Sequence, residues 1–234
     1  MPHLLRWSPA FGETHDRNPR LAMVVEGFCV RQKASMNQST APLLQAQNLS
    51  VARGDALLIE ELSFAVNPGE ALHVQGENGA GKSTLMLALA GLIPLVAGEV
   101  ELNRDALAFL GHDNGLLPDL SVAENLSLYA GCGVVPAAGV AELLGLHELK
   151  QKPARTLSFG QARRVALALT CLPDKKVWML DEPFAGLDQQ TSAALETILH
   201  QGTTEGRAIL FSSHERSLNN AHTISLTRKG SDDV

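Results

Sequence analysis

The chain has 234 residues, of which 45% are hydrophobic, and its formal net charge is −6. This length suffices to bury one substantial core, whereas two full domains would be cramped. The acidic balance argues against a general nucleic-acid-binding function, which needs a concentrated basic surface to displace counterions from phosphates.

Residues 1–41 precede the regular part of the chain. They mix Pro, Arg, Asn and Ser without a clear period, so we expect an extension outside a single folded domain at residues 42–234. The regular pattern starts soon after Met36, which we interpret as the translation start. Residues 21–30 imitate the apolar core of a signal peptide. They include Glu26, however, and are far shorter than the roughly 20 apolar residues that a membrane-spanning helix needs.

The chain contains three scattered cysteines, Cys29, Cys132 and Cys171, which form no C-x-x-C pair. Neither a disulfide framework nor a zinc site is therefore predicted. A reducing cytoplasm is the compartment that this pattern favours.

The first regular elements are two alternating stretches, residues 44–51 and 58–66, on either side of the turn residues 53–55. A period of two with a glycine between the stretches predicts an antiparallel pair of strands. Residues 71–75 then form an apolar run typical of a short buried strand. Residues 83–91 have the apolar spacing of a helix that packs against a sheet.

The loop between this strand and helix fits the pattern G-x-x-x-x-G-K-[ST], the P-loop that holds nucleotide phosphates. Its predicted nucleotide-binding residues are Gly76, Glu77, Asn78, Gly79, Ala80, Gly81, Lys82, Ser83 and Thr84. The glycines allow successive N–H groups to wrap a β-phosphate at a helix N-terminus. Lys82 adds a charge for the β- and γ-phosphates, and the Ser83 hydroxyl is placed to bind Mg²⁺. The alternative is a chance glycine-rich turn, and the strand and helix context argues against it.

Residues 97–102 and 106–111 predict two further strands joined by a short connection. Residues 122–152 then carry helical apolar spacing with breaks at glycine and proline, which indicates a small helical subdomain. Within it, Val140, Leu143 and Leu144 form a stripe with helical spacing. Such a stripe belongs to a core more often than to a docking face, and both interpretations stay open here.

Two motifs follow the helical subdomain. Leu157, Ser158, Phe159, Gly160 and Gln161 precede a helical run at residues 162–170, so that Ser158 and the Gly160 backbone lie at a helix N-terminus, which suits a phosphate. Residues 176–180 are an apolar strand that ends in Asp181 and Glu182, as in a Walker B segment. We expect Asp181 to hold Mg²⁺ through water and Glu182 to act as the general base on the attacking water. The alternative for this carboxylate pair is a helix N-cap.

In this order the motifs resemble those of the ATP-binding cassette (ABC) ATPases. The resemblance implies an α/β P-loop NTPase fold, with a RecA-like parallel sheet core, a small antiparallel β edge and a helical subdomain. It identifies residues 157–161 with the signature motif, in which Phe159 replaces the usual glycine, and Asp188 with the D-loop. It also identifies His214 with the switch histidine, although a strand-end histidine alone is more often only a polar residue. The catalytic residues that we expect are thus Glu182, His214 and Lys82.

The resemblance also implies a partner copy and a coupling loop. In the family the signature motif contacts the nucleotide of the opposite subunit, so we expect a head-to-tail dimer of this chain with two ATP molecules. The family's Q-loop carries a glutamine that senses Mg²⁺ and touches the membrane partner. Asp113 occupies that position here, or His112 if the alignment shifts by one residue, and the alternative is a plain polar loop. Asp keeps an acceptor for the metal but lacks the amide donor.

Within the family, the chain is most similar to the ATP-binding subunits of haem-export systems for cytochrome c maturation. The similarity depends on the short connection after residue 102, on the Leu-Gly-His stretch at 110–112 and on the paired arginines at 163–164. It implies an ATPase that uses ATP and Mg²⁺ and binds integral-membrane permease subunits at the cytoplasmic face of the bacterial inner membrane. An ATPase subunit for lipid, metal or peptide cargo is the alternative. A non-transport member of the family is disfavoured, because the chain has no second cassette, coiled coil or basic linker.

Overall fold

The computed structural model describes residues 41–54, 56–131, 136, 139–214 and 216–227. Residues 1–40 of the expected N-terminal extension, the proposed start at Met36, Cys29 and Cys132 lie outside the described residues. The described strands are β1 (Leu44–Arg53), β2 (Ala56–Val66), β3 (Ala71–Gly76), β4 (Ala97–Leu102), β5 (Leu107–Leu110), β6 (Val177–Leu180), β7 (Ala208–Ser212) and β8 (His222–Leu226). The described α-helices are α1 (Lys82–Leu89), α2 (Val122–Gly131), α3 (Val140–Leu143), α4 (Phe159–Thr170) and α5 (Gln189–Thr204).

The main sheet has the strand order β5-β6-β7-β3-β8, and all its paired strands are parallel. Strands β6 and β7 are buried along their whole length and are almost entirely apolar. This pattern is typical of a parallel sheet that is covered on both faces. The carboxyl ends of β3, β6 and β7 meet at one edge, which brings together the three loops that carry the predicted site.

A second, antiparallel sheet has the order β2-β1-β4. Leu44 of β1 pairs with Val66 of β2 on one side and with Leu102 of β4 on the other. After β4 the chain makes only a 3₁₀ turn at Arg104–Ala106, where the Asn103 side chain accepts a hydrogen bond from the Asp105 N–H, and then enters β5. The short connection predicted from the sequence is therefore present, and the α/β P-loop NTPase fold with an antiparallel edge is confirmed.

Apolar side chains form two buried clusters. One joins α1 and the antiparallel sheet to one face of the main sheet, and the other joins α3, α4 and α5 to the main sheet. Val140 and Leu144 lie in the second cluster, whereas Leu143 is 48% exposed. The apolar stripe of the helical subdomain is thus mainly core. Cys171, which follows α4, is fully buried, and this burial raises the pKa of its thiol to about 12.

No helix in the described ranges has the length and apolar character needed to cross a bilayer.

Candidate active site

The loop between β3 and α1 presents backbone N–H groups. Gly81, the residue before α1, has φ +98°, and the helix has neither a side-chain cap nor an acidic residue in its first turn. The first N–H groups of α1 therefore lack an intrahelical acceptor, and the positive end of the helix dipole is not neutralised. At the start of the loop, a Cβ on Gly76 would lie 2.5 Å from the backbone oxygen of Leu226, so a side chain does not fit there. This geometry favours an anionic ligand such as a phosphate.

The Lys82 side chain folds back over the loop. Its ammonium donates hydrogen bonds to the carbonyl oxygens of Gly76 at 2.9 Å and of Glu77 at 3.3 Å. A third hydrogen bond goes to Nε2 of His214 at 2.8 Å. The side chain is only 7% exposed, so its charge is confined to the loop. A cation beside convergent N–H groups is the arrangement that binds a polyphosphate.

The turn after β6 is held in an unusual backbone conformation. Glu182 has φ +48°, a backbone conformation that residues other than glycine rarely adopt. The Ser212 hydroxyl, at the end of β7, accepts a hydrogen bond from the Glu182 N–H at 2.8 Å and donates one to Oδ1 of Asp181 at 2.7 Å. Strained residues of this kind persist where the surroundings fix them, commonly at functional sites. Ser212 was not predicted from the sequence, and its only signal is a small polar residue at the end of a buried strand.

Glu182, His214 and Lys82 form a compact cluster. Oε1 of Glu182 lies 3.3 Å from Nε2 of His214 and 3.9 Å from Nζ of Lys82. Because Nε2 already accepts a hydrogen bond from the Lys82 ammonium, the proton of neutral His214 must be on Nδ1. Oε1 of Glu182 is buried and has no hydrogen-bond partner in the described part of the chain. The carboxylate is therefore an unsatisfied acceptor at the P-loop, which suits a general base for water.

The signature residues begin α4. Ser158 is the N-cap, and it forms a capping box with Gln161: the Ser158 hydroxyl accepts from the Gln161 N–H, and Oε1 of Gln161 accepts from the Ser158 N–H. Phe159 is 48% exposed and packs on Gly186, two residues before the predicted D-loop residue Asp188. Asp188 caps α5, and its hydrogen bond from the Thr191 N–H lowers the pKa of its carboxyl. The roles of Ser158 and Asp188 toward a second copy of the chain stay predictions.

Asn114, the residue after the predicted Q-loop position Asp113, has a buried hydrogen-bond partner. His112 and Asp113 are both exposed, whereas Asn114 is half-buried, and its Oδ1 accepts a hydrogen bond from Nη1 of Arg163 at 3.0 Å. Asn125 fixes the following loop, since its side chain bonds the backbone of Leu117 as both acceptor and donor. The coupling role of Asp113 stays a prediction. Arg163, Asn114 and Asn125 were not predicted as site residues.

A buried histidine contacts the residue that precedes His214. His73 of β3 is 1% exposed and stacks on Phe211, with ring centroids 4.6 Å apart. Its Nε2–H donates to the carbonyl oxygen of Ser213 at 3.0 Å, and its Nδ1 accepts from the Gln75 amide at 3.3 Å. Both ring nitrogens are thus satisfied in the neutral form. Burial lowers the pKa of His73 below its ordinary value of 6.5.

This shift in the pKa of His73 predicts a loss of stability in acid. Below pH 6.5 the unfolded chain takes up a proton on His73 that the folded chain resists, so the free energy of unfolding falls as the pH falls. We expect His73→Gln to show a smaller drop in Tm than the wild type between roughly pH 7.5 and 5.5, measured by differential scanning fluorimetry. His200→Gln, which changes an exposed histidine of α5, is the matched control. An equal pH dependence of Tm in all three proteins would contradict this account.

The fold and the site together define a P-loop nucleoside triphosphatase with a Walker B carboxylate pair. The sequence profile described as "ABC transporter" matches residues 59–185, and the chain belongs to this family. It is similar to a protein of Paracoccus denitrificans named "Cytochrome c biogenesis ATP-binding export protein CcmA", with 41% identity over 74% of this chain and 82% of that protein. A Nitrosomonas europaea protein of the same name is 36% identical over 80% of this chain and 95% of its own length.

Solved structures agree with this assignment. A putative ABC transporter ATP-binding protein from Pyrococcus furiosus superposes with a TM-score of 0.67 and 27% identity, over 78% of this chain and 96% of that one. The structure of the ATP-binding subunit of another ABC transporter gives a TM-score of 0.68 at 25% identity, over 74% of this chain and 80% of the other. The chain is therefore an ATP-binding subunit of the ABC type, and the expectation of ATPase activity is confirmed.

Proposed function

We propose that this chain is the ATPase subunit of a membrane transporter that serves cytochrome c biogenesis, with haem export or release as the step that ATP drives. The observation that carries the proposal is the similarity to two proteins that are named for cytochrome c biogenesis and export, at 36–41% identity over 82–95% of their length. Haem as the cargo comes from the resemblance seen in the sequence. The short connection between β4 and β5 agrees with the resemblance seen in the sequence. An ABC transporter with lipid, metal or peptide cargo would use the same site and is the second candidate.

The described donors fit Mg²⁺ held jointly with a nucleotide. Ser83 is exposed on the first turn of α1, and the Asp181 carboxylate lies at the carboxyl end of β6, at the same edge of the sheet. No group of three or more His, Cys, Asp or Glu side chains suited to a metal occurs among the described residues. Mg²⁺ commonly takes one or two protein ligands and completes its shell with phosphates and waters, so a hydroxyl and a carboxylate suffice. When bound there, Mg²⁺ neutralises the charge on the phosphates.

The protein side of hydrolysis then follows from the cluster around Glu182. The α1 N–H groups and Lys82 bind and orient the phosphates, and Glu182 accepts a proton from the attacking water. When Lys82 turns to the phosphates it leaves Nε2 of His214. That nitrogen can then carry the ring proton and donate a hydrogen bond to the γ-phosphate or to Glu182. We therefore assign His214 as the residue that orients the water and the base.

The partners belong to the same proposal. We assign integral-membrane permease subunits as the partners, and the cytoplasmic face of the bacterial inner membrane as the location. We also propose a head-to-tail dimer, in which Ser158 and the Gly160 N–H at the start of α4 face the nucleotide of the second copy. The exposure of Ser158 and Phe159 on the described surface supports this arrangement. No nucleic-acid partner is proposed.

Affinity purification of the tagged full chain from mild-detergent membranes of its native host tests the proposal. We expect a membrane subunit for cytochrome c maturation among the proteins identified by mass spectrometry. A strain without the gene should lose haem-stained c-type cytochromes, and the wild type and Glu99→Gln should restore them while Glu182→Gln should not. Recovery of a different permease with normal c-type cytochromes would contradict the cytochrome c role and leave the ATPase assignment in place. Recovery of ribosomal proteins alone would overturn the transporter assignment.

A further inference from the structure

Arg163 is a fully buried arginine on α4, two residues after the signature motif. A buried guanidinium is costly unless its donors are satisfied. Its Nη1 and Nη2 donate to neutral oxygens from two separate segments of the chain, whereas its buried Nε has no partner among the described residues. Nη1 donates to the carbonyl oxygen of Gly111 at 2.9 Å and to Oδ1 of Asn114 at 3.0 Å. Nη2 donates to the carbonyl oxygens of Asp181 and of Glu182, the latter at 3.0 Å.

The first segment, residues 111–114, leaves β5 and contains the position that the sequence assigns to the Q-loop. The second segment is the turn in which Glu182 has φ +48°. The Ser212 hydroxyl accepts a hydrogen bond from the N–H of Glu182. Arg163 donates to the carbonyl oxygens of Asp181 and of Glu182 itself. The strained turn is thus fixed from two directions, by a hydroxyl from β7 and a guanidinium from α4.

We propose that Arg163 is a positioning residue that couples the orientation of Glu182 to the position of residues 111–114. The guanidinium is planar and rigid, and it bonds both segments at once. A displacement of one segment therefore moves the guanidinium, which in turn displaces the other segment. Helix α4, which carries Arg163 and begins at the predicted signature motif, is the third element that is coupled. This inference rests on the assignment of Glu182 as the base. It adds the route by which movement of residues 111–114 changes the rate of hydrolysis.

The contacts predict an effect on kcat rather than on nucleotide binding. Arg163 bonds neither the P-loop nor Lys82 in the described structure, so ATP affinity should not depend on it. A small misplacement of a catalytic group lowers the rate by up to about 10²-fold. Lys has a single ammonium at the end of a flexible stem, so it cannot satisfy both segments with the geometry of the guanidinium.

The test compares Arg163→Lys, Asn114→Ala and the double variant with the wild type, by steady-state ATPase kinetics and by equilibrium binding of ATP. Arg164→Lys is the matched control, because the neighbouring arginine is half-buried and, within the described ranges, donates one long bond, of 3.3 Å, to the carbonyl oxygen of Leu144. We expect Arg163→Lys to lower kcat about 10- to 100-fold with KM and ATP affinity within about threefold of the wild type. Asn114→Ala should lower kcat less, and it should add nothing in the Arg163→Lys background.

A kcat of Arg163→Lys within about twofold of the wild type would overturn the proposal, as would additive losses in the double variant. A rise in KM at unchanged kcat would overturn it as well. If Arg163→Lys does not fold, Asn114→Ala decides alone, and a wild-type kcat in that variant would contradict the coupling. Glu182→Gln is assayed in parallel, because unchanged turnover there would remove the base itself and not merely the coupling.

Discussion

Replacement of Glu182 by Gln should lower the rate of ATP hydrolysis by about 10²–10³-fold and leave ATP binding nearly unchanged. The amide has the shape of the carboxylate but cannot take a proton from water at neutral pH. Oε1 of Glu182 makes no hydrogen bond in the described residues, so the substitution removes no bond that holds the turn. Single-turnover hydrolysis of radiolabelled ATP, with binding measured separately by a fluorescent analogue, gives both quantities.

Glu99→Gln is the control for this variant, because Glu99 is an exposed carboxylate on β4 outside the described site. It should turn over ATP at the wild-type rate. With hydrolysis blocked, Glu182→Gln should also collect as an ATP-bound dimer in size-exclusion chromatography with light scattering. A turnover of Glu182→Gln equal to that of Glu99→Gln would remove Glu182 from the mechanism.

Replacement of Lys82 by Ala should weaken ATP binding roughly 10- to 100-fold, because a charged hydrogen bond of this kind contributes about 1.5–3 kcal/mol. The variant loses the one ammonium that reaches Gly76, Glu77 and His214 together. The loss should exceed the effect on ADP, since Lys82 is expected to bind the γ-phosphate as well as the β-phosphate. Isothermal titration calorimetry with ATP and with ADP measures the difference directly.

Lys150→Ala serves as the matched control, since Lys150 is an exposed residue of the helical subdomain and lies outside the P-loop. It should bind both nucleotides as the wild type does. Equal affinity of Lys82→Ala and Lys150→Ala for ATP would contradict the assignment of the loop. The Tm of both variants is measured as well, because the Lys82 bonds also tie the loop to itself. A lower Tm in Lys82→Ala alone would attribute part of the weakened binding to folding.

The parts of the fold that the sequence predicted are those encoded locally. The run at 71–75, the glycine loop and the apolar helix after it appear as β3, the P-loop and α1, because apolar burial and glycine conformation are properties of neighbouring residues. The boundaries shifted by one or two residues, as helix ends commonly do. The short turn between β4 and β5 was likewise predicted, because only a few residues separate the two strands in the sequence.

The parts that the sequence did not predict depend on distant contacts. Ser212 meets Asp181 across 31 positions, Arg163 meets Gly111 across 52, and His73 meets Ser213 across 140. No local period reports such pairs. Arg163 in particular stands beside a second arginine in an amphipathic helix, where a charged residue usually indicates a solvated face. In the structure Arg163 is completely buried. Its role therefore follows from its four hydrogen-bond partners and not from its spacing in the helix.

A crystal structure of Glu182→Gln with Mg²⁺ and ATP tests the central claim most directly. The account predicts the β-phosphate on the N–H groups of residues 76–84 and the metal between Ser83 and Asp181. It also predicts that Lys82 leaves His214, and that Ser158 of a second copy faces the γ-phosphate. A nucleotide bound away from this loop, or a metal that neither binds Ser83 nor contacts Asp181 through water, would contradict the assignment of the site.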